Sequence, residues 1–155
     1  MILPFFICYI LYNQIQSLSA TDLINVLKHV DLLFINEEEA TALTGTNTIN
    51  DAANNLLDIG PDSIVVKQGS YGATYISKDT TCSIGVCQGL SVVDPTGAGD
   101  AFAGGFLGSL IKNGPDIDTA IRYGTAAAGL AISSLGAQNL DISINDIEQL
   151  KNTIK

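Results

Sequence analysis

The chain has 155 residues, a length typical of one domain, and its 46% hydrophobic content with 15 Gly and 4 Pro is that of a globular protein. Its net charge is −9, from 7 basic and 16 acidic residues. Because this charge repels phosphate backbones and anionic headgroups, and no Lys/Arg cluster offsets it, we expect no nucleic-acid and no membrane partner.

Residues 1–20 form an atypical apolar N-terminal segment. The stretch from Met1 to Tyr12 is strongly apolar, and the chain turns polar from Asn13 onward. Twelve residues are too few to span a bilayer. A signal-peptide core is an alternative, but Leu18-Ser19-Ala20 is a poor cleavage site and no positive charge precedes it. We favour a buried strand, or the ragged start of a chain that has lost what came before it.

The predicted elements alternate between helix and strand along the rest of the chain. In chain order they are a capped helix over 21–30, a strand over 31–35, helices over 37–43 and 50–59, strands 63–67 and 73–77 joined as a hairpin, extended pieces near 82–86 and 90–93, and helices over 98–112, 117–134 and 145–154. This order predicts an α/β fold with a mainly parallel sheet and flanking helices. Ligands of such sheets bind beyond the carboxyl ends of the strands. We therefore expect Asn36, residues 67–72 and residues 94–100, which all follow predicted strands, to converge at one edge.

The cysteines and the single histidine argue against two kinds of site. Cys8, Cys82 and Cys87 are odd in number, and neither a second cysteine pair nor a nearby histidine completes a zinc site. His29 stands beside a predicted helix end, where it is a poor basis for a Ser-His-Asp or Cys-His enzyme. We predict reduced thiols and a cytoplasmic protein.

The glycine-rich run from Asp94 to Asp100 has the composition of a phosphate site. Gly97, Ala98 and Gly99 allow a tight turn that points amides outward at the start of a helix, which would form an anion hole. Asp100 in the first helical turn could accept the proton of a substrate hydroxyl as the catalytic base. The lysine of a P-loop is absent, and Phe102 replaces the third glycine of a dinucleotide fingerprint. The alternative is that Asp100 only stabilises the helix terminus.

Three motifs resemble those of PfkB-type kinases, the group that contains ribokinase, fructokinase and adenosine kinase. They also occur in the same order as in that family. The run from Val93 to Phe106 is similar to the C-terminal signature of that family, Asn36 to Glu39 to its N-x-x-E motif, and Lys67 to Gly72 to its K-x-G-x-x-G turn. The resemblance covers about residues 21–150. It implies a ribokinase-like fold in which residues 21–155 form the C-terminal nucleotide-binding half of the kinase domain.

The resemblance also implies ligands for ATP, Mg²⁺ and K⁺. Asn36 and Glu39 would orient a hydrated Mg²⁺. The implied nucleotide contacts are Asn36, Lys67, Gln68, Gly69, Ser70, Tyr71, Gly72 and, at the adenine edge, Thr125. A monovalent cation would lie among Asp94, Thr96 and backbone carbonyls near Ala131, Ser134 and Gly136, although Asn139-Leu140 departs from the usual ending of that loop. Taken alone, the first two motifs also fit a helix N-cap followed by acidic residues and a plain hairpin turn.

The function that these motifs imply is transfer of the γ-phosphate of ATP to a sugar or nucleoside hydroxyl. Family members are about twice as long, so we interpret the chain as a C-terminal fragment that lacks the substrate-binding half. Alone, it is expected to bind ATP weakly and to turn over negligibly. The alternatives are an inactive nucleotide-binding or assembly module, as a homo-oligomer or paired with a missing N-terminal half, and a structural α/β domain whose motifs are coincidental.

Overall fold

A computed structural model describes residues 8–10, 20–136 and 142–154. The strands are β1 (Cys8–Ile10), β2 (Leu32–Asn36), β3 (Ser63–Lys67), β4 (Ala73–Ser77) and β5 (Thr81–Ile84). The helices are α1 (Ala20–Leu27), α2 (Glu37–Thr44), α3 (Ile49–Ile59), α4 (Ala98–Asn113), α5 (Ile117–Ile132) and α6 (Ile144–Leu150), with 3₁₀ turns at Gly69–Tyr71 and Lys151–Thr153. Across the described ranges, no helix combines the length and apolarity that crossing a membrane requires.

The sheet is mixed rather than mainly parallel, which corrects part of the predicted fold class. Its strand order is β1-β2-β3-β4-β5, and β1, β2 and β3 pair in parallel. The connections over 68–72 and 78–80 are too short for a parallel crossover, so β3, β4 and β5 follow one another as hairpins. The strand expected within residues 1–20 is confirmed at Cys8–Ile10; residues 1–7 and 11–19 lie outside the described residues.

The chain divides into two compact units. The first holds the described residues up to Gly69 together with Thr74–Thr81, and the second holds Ser70–Ala73 with the described residues from Cys82 onward.

The core of the first unit lies between its strands and helices α1 and α3. Alternate residues of β2 and β3 point to one face of a sheet, and this face contributes Leu33, Ile35, Ile64 and Val66 to a buried cluster with helical residues such as Leu56. Full burial of an aliphatic side chain of this size contributes about 1.5–3 kcal/mol. This packing fixes the positions at which β2 and β3 end.

The second unit is built on close contact between α4 and α5. A Cβ atom at Gly105 would lie 2.6 Å from the carbonyl oxygen of Tyr123 and 2.8 Å from the Cβ of Ala127. A Cβ atom at Gly124 would likewise lie 2.9 Å from the carbonyl oxygen of Phe102. Glycines at the contact therefore let the two backbones approach each other.

We predict that Gly105→Ala destabilises the chain whereas Gly104→Ala does not. The overpacking at Gly105 costs about 1–3 kcal/mol, which exceeds the gain of up to about 1 kcal/mol from replacing a helical glycine. Gly104 has open space around its Cα, so only the gain applies there. Urea unfolding of the two variants measures both effects, and equal stabilities would contradict the close packing.

The C-terminal elements are held to this helix pair by charges around Tyr123. Glu148 accepts hydrogen bonds from the Tyr123 hydroxyl and from Lys112 at 3.0 Å, and it pairs with Lys151 at 2.7 Å. These donors, Lys151 first, lower the pKa of Glu148 to about 2. Lys151 also lies 4.4 Å from the centre of the Tyr123 ring. Helix α6 is thereby tied to both α4 and α5.

Residues 87–94, which we call the α5 strap, run along α5. The Cys87 thiol donates to the carbonyl of Thr125 at 3.6 Å, and the amides of Val93 and Asp94 donate to the carbonyl of Ile132 at 2.8 and 3.2 Å. The piece over 90–93, predicted to be extended, is not a strand of the sheet, and the amide of Val93 bonds to the end of a helix instead.

Candidate functional site

In the first unit, the chain topology places the N-x-x-E and K-x-G-x-x-G segments side by side. Asn36 is the last residue of β2 and Lys67 the last residue of β3, and the two are register partners in the parallel pair. Neighbouring strands lie about 4.8 Å apart. The predicted convergence at the carboxyl edge of the sheet is confirmed for these two positions.

Asn36 and Glu39 form a capping box at the start of α2. The Asn36 side-chain oxygen accepts the Glu39 amide at 2.7 Å, and Glu39 Oε2 accepts the Asn36 amide at 3.0 Å. The Glu39 side chain is buried, which fixes its orientation. A carboxylate offers about four acceptor sites, so this arrangement does not exhaust its capacity as a ligand. The role of Asn36 as the N-cap of a helix, the structural alternative for this motif, is therefore present.

The turn between β3 and β4 combines a side-chain anchor with two unusual glycines. Thr74 donates to Gln68 Oε1 at 2.8 Å. Gly69 opens the 3₁₀ turn with φ +57°, and Gly72 follows with φ +99°, conformations that favour glycine. Ser70 and Tyr71 are exposed, the latter at 81%. A side chain at Gly72 would overlap the carbonyl oxygen of Ile84, so the second glycine of the K-x-G-x-x-G turn is required for steric reasons.

In the second unit, α4 begins at Ala98, directly after the glycine turn, where the sequence predicted a helix. Gly97 is the N-cap with φ +82°, and among the described residues no side chain caps this helix end. The first amide that reaches an intrahelical carbonyl is that of Ala101, which donates to Gly97 at 2.9 Å. Asp100 lies exposed in the first turn. The amide of Ala98 already donates to the carbonyl of Pro95 at 3.3 Å, so the amides of Gly99 and Asp100 are better placed for an anion than that of Ala98.

Hydrogen bonds link residues predicted for the cation site where the strap, the turn before α4 and the end of α5 come together. Asp94 Oδ1 accepts the Thr96 amide at 2.9 Å, and Asp94 Oδ2 accepts the Gly136 amide at 3.1 Å. The Ser134 hydroxyl donates to the carbonyl of Ala131 at 3.4 Å. The Thr96 hydroxyl and the amides of Thr96 and Gly136 lower the pKa of Asp94. Residues 137–140, which complete the predicted loop, lie outside the described residues.

Thr125 lies in the buried face of α5 that the strap covers. Its hydroxyl is buried and has no hydrogen-bond partner in the described part of the chain. Cys87, set aside in the sequence analysis, is the residue that packs on it, and burial raises the pKa of the Cys87 thiol to about 11. Nothing in the cysteine spacing predicted this contact. The sequence also gave no sign of Ile132, whose carbonyl accepts the amide of Asp94, because any residue type supplies such a carbonyl.

A family model described as pfkB family carbohydrate kinase matches residues 5–144, and the chain belongs to this family. It is 31% identical over 140 residues to a nucleoside kinase of Methanocaldococcus jannaschii, covering 90% of this chain and 45% of the relative. Ribokinase from Thermotoga maritima is similar in structure with a TM-score of 0.83 at 26% identity, covering 95% of this chain and 49% of that one.

A further solved relative is a candidate ribokinase II from E. coli in complex with ATP and Mg²⁺. It has a TM-score of 0.76 at 29% identity, and the match covers 85% of this chain and 42% of that one. The fold is thus the ribokinase-like α/β fold. The chain spans less than half the length of the curated relatives compared with it.

Proposed function

We propose that this protein supplies the ATP-binding and phosphoryl-transfer half of a small-molecule kinase that phosphorylates a sugar or nucleoside hydroxyl. The observation that carries the proposal is the start of α4. Gly97 has a positive φ there, and no side chain among the described residues caps the helix. Asp100 lies exposed in the first turn. A helix terminus of this kind attracts anions through its amides and its dipole.

Asp100 is the proposed general base. Its carboxylate takes the proton of the acceptor hydroxyl while the hydroxyl oxygen bonds to the γ-phosphorus of ATP and the bond from that phosphorus to the bridging oxygen of ADP breaks. The amides of Gly99 and Asp100, with the turn formed by Gly97 and Ala98, stabilise the negative charge on the transferred group. Phosphoryl transfer relies mainly on such positioning and charge stabilisation.

Asn36 and Glu39 are the proposed Mg²⁺-proximal residues. The capping box leaves hard oxygen acceptors at the carboxyl end of β2, and Mg²⁺ prefers oxygen ligands while keeping several of its waters. Because Glu39 is buried, contact through a metal-bound water fits better than direct ligation. When bound, the ion would neutralise phosphate charge; the protein's part is to orient its water shell.

The nucleotide contacts proposed are Lys67, the turn over 68–72 and Thr125. The register of Lys67 with Asn36 supports its place near the phosphates, and the exposed turn leaves Ser70 and Tyr71 accessible. For Thr125, the supporting observation is its buried hydroxyl without a partner, since such a group gains a hydrogen bond when a polar ligand edge reaches it.

The proposed monovalent-cation site fits the donor set that surrounds Asp94. One carboxylate, with Thr96 and main-chain carbonyls near Ala131, Ser134 and Gly136, would offer oxygen ligands and a single negative charge to a monovalent ion such as K⁺. The hydrogen bond from Gly136 to Asp94 and those from the strap to Ile132 draw these segments together.

Calorimetric titration with Mg·ATP tests the proposal on the chain itself, with adenosine as the control ligand that lacks phosphates. We expect weak, saturable ATP binding, much weaker adenosine binding and negligible turnover. Joining the chain to the N-terminal half of the Thermotoga maritima ribokinase should then allow ATP-dependent phosphorylation of a panel of sugars and nucleosides. Equal binding of ATP and adenosine, or none of either at millimolar concentration, would contradict the phosphate site.

A second candidate function, as an assembly module, is favoured by three exposed apolar side chains beside Asp94. Val92, Val93 and Leu135 are exposed at 65%, 53% and 82%. Exposed apolar groups of this size concentrate at contact surfaces. Size-exclusion chromatography with light scattering tests whether the chain forms a homo-oligomer. A monomer at every concentration would argue against a homo-oligomer, and an assembly module would then have to pair with a different chain.

A further inference from the structure

Asp94 links two segments of the second unit that are 42 residues apart in sequence. One carboxylate oxygen accepts the amide of Thr96, in the turn that opens α4. The other accepts the amide of Gly136, in the loop that follows α5. The backbone amide of Asp94 is itself fixed, since it donates to the carbonyl of Ile132 at 3.2 Å. The residue is therefore held at its main chain and at both side-chain oxygens.

The two side-chain hydrogen bonds have different ranges and can be separated by chemistry. The bond to Thr96 is local, two residues along the chain, and an asparagine can make it equally well. The bond to Gly136 uses the second oxygen. The two amides donate to different oxygens, and asparagine keeps one of these oxygens but replaces the other with an NH₂ donor, so in this geometry it cannot serve both.

We infer that Asp94 is a positioning residue that fixes the phosphate turn by tying it to the loop after α5. The inference rests on the proposed function, in which the amides of Gly99 and Asp100 receive a phosphate. Those amides follow the turn that Asp94 closes, so the orientation of α4's first turn depends on where residues 94–97 are held. Preorganised donors stabilise developing charge without rearranging during the reaction. The tie uses hydrogen bonds within the chain and does not require a bound cation.

Asp116 provides a matched control in the same unit. Its two oxygens also accept two hydrogen bonds, from the amide of Thr119 at 3.2 Å and from the Thr119 hydroxyl at 2.7 Å. Both come from one residue three positions away, at the start of α5. Asp116→Asn therefore changes a similar capping carboxylate without touching a long-range tie.

The test compares Asp94→Asn, Asp94→Ala and Asp116→Asn in the full chain by two measurements. Amide hydrogen exchange, followed by NMR without nucleotide, reports the bonds of Thr96 and Gly136. Calorimetry reports the dissociation constant for Mg·ATP. For Asp94→Asn we expect retained protection at Thr96, exchange at Gly136 about tenfold faster, and ATP affinity about tenfold lower, the size of effect that losing one hydrogen bond to a charged group produces.

Asp94→Ala should lose protection at both amides, and Asp116→Asn should change neither amide nor the ATP affinity. Asp94→Asn has nearly the shape of aspartate and carries the test if the alanine variant does not fold. Unchanged exchange at Gly136 in Asp94→Asn would overturn the tie, and faster exchange with unchanged ATP affinity would overturn its positioning role. A wild-type chain that binds no ATP would overturn the proposed function and the positioning role that depends on it, while the exchange rates would still decide whether the tie exists.

Discussion

Asp100→Asn is expected to lower kcat about 100- to 10,000-fold in the chain joined to an N-terminal kinase half, the range typical of losing a general base. The amide side chain keeps the shape of aspartate but cannot accept the proton of the acceptor hydroxyl. The dissociation constant for Mg·ATP should change little, because the α4 amides that hold the phosphates are main-chain groups. Steady-state kinetics on the joined protein and calorimetry on the chain alone measure the two quantities.

Asp118→Asn is the control for this prediction. Asp118 is also an exposed aspartate in the first turn of a helix of the second unit, where its side chain pairs with Arg122 at 3.0 Å. A helix-terminal charge contributes at most about 1 kcal/mol at such a site, so this variant should retain its turnover. Full activity of Asp100→Asn would remove that residue from catalysis and leave it the helix-stabilising role considered from the sequence.

Gly72→Ala is expected to destabilise the chain by about 2–5 kcal/mol. The methyl group would overlap the carbonyl oxygen of Ile84, and a backbone atom cannot turn aside as a flexible side chain can. Overpacking of this kind costs about 1–3 kcal/mol, and the left-handed φ of +99° adds about 1–2 kcal/mol for any residue with a Cβ. Urea unfolding followed by circular dichroism measures the loss.

Gly69→Ala separates the two costs, because Gly69 lies in the same turn with φ +57° and open space around its Cα. Only the conformational cost of about 1–2 kcal/mol applies there. If the two variants lose equal stability, the contact between Gly72 and Ile84 has no energetic weight, and the second glycine of the motif would be explained by its backbone angle alone.

Features of the site that depend on local chemistry were predictable from the sequence. Asn36 followed by three acids predicted a helix N-cap, and the capping box is present. Parallel strands ending at Asn36 and Lys67 predicted that these residues would lie at one sheet edge, and they are register partners. Gly97 before a run of small residues predicted a helix that starts at Ala98, and α4 starts there. In these cases the prediction followed from local residue types or from the order of the strands.

Features that depend on contacts distant in sequence were not predictable. The apolar run Leu90 to Val93 predicted an extended piece, but not that the amides of Val93 and Asp94 bond to the end of α5, because periodicity carries no information on which partner a backbone group will find. The resemblance placed Asp94 and Gly136 in one cation site, but the hydrogen bond from the Gly136 amide to the Asp94 carboxylate was not predicted, since a glycine amide has no signature in the sequence. One local feature was also not predictable: the amide of Ala98 was expected to face an anion but bonds to Pro95, which only the conformation of the turn decides.

The capping box over Asn36 and Glu39 also governs how mutations at these positions must be interpreted. Since each side chain holds the other's main-chain amide, an alanine at either one frays α2, and any lost activity then mixes unfolding with weakened metal binding. The chain contains its own reference, because Ser143 and Asp146 build the same motif at α6 with a serine at the first position. A serine at position 36 would keep the N-cap hydrogen bond that starts α2 but would remove the carboxamide. A loss of activity in this variant would then report the role of the carboxamide in metal or nucleotide binding.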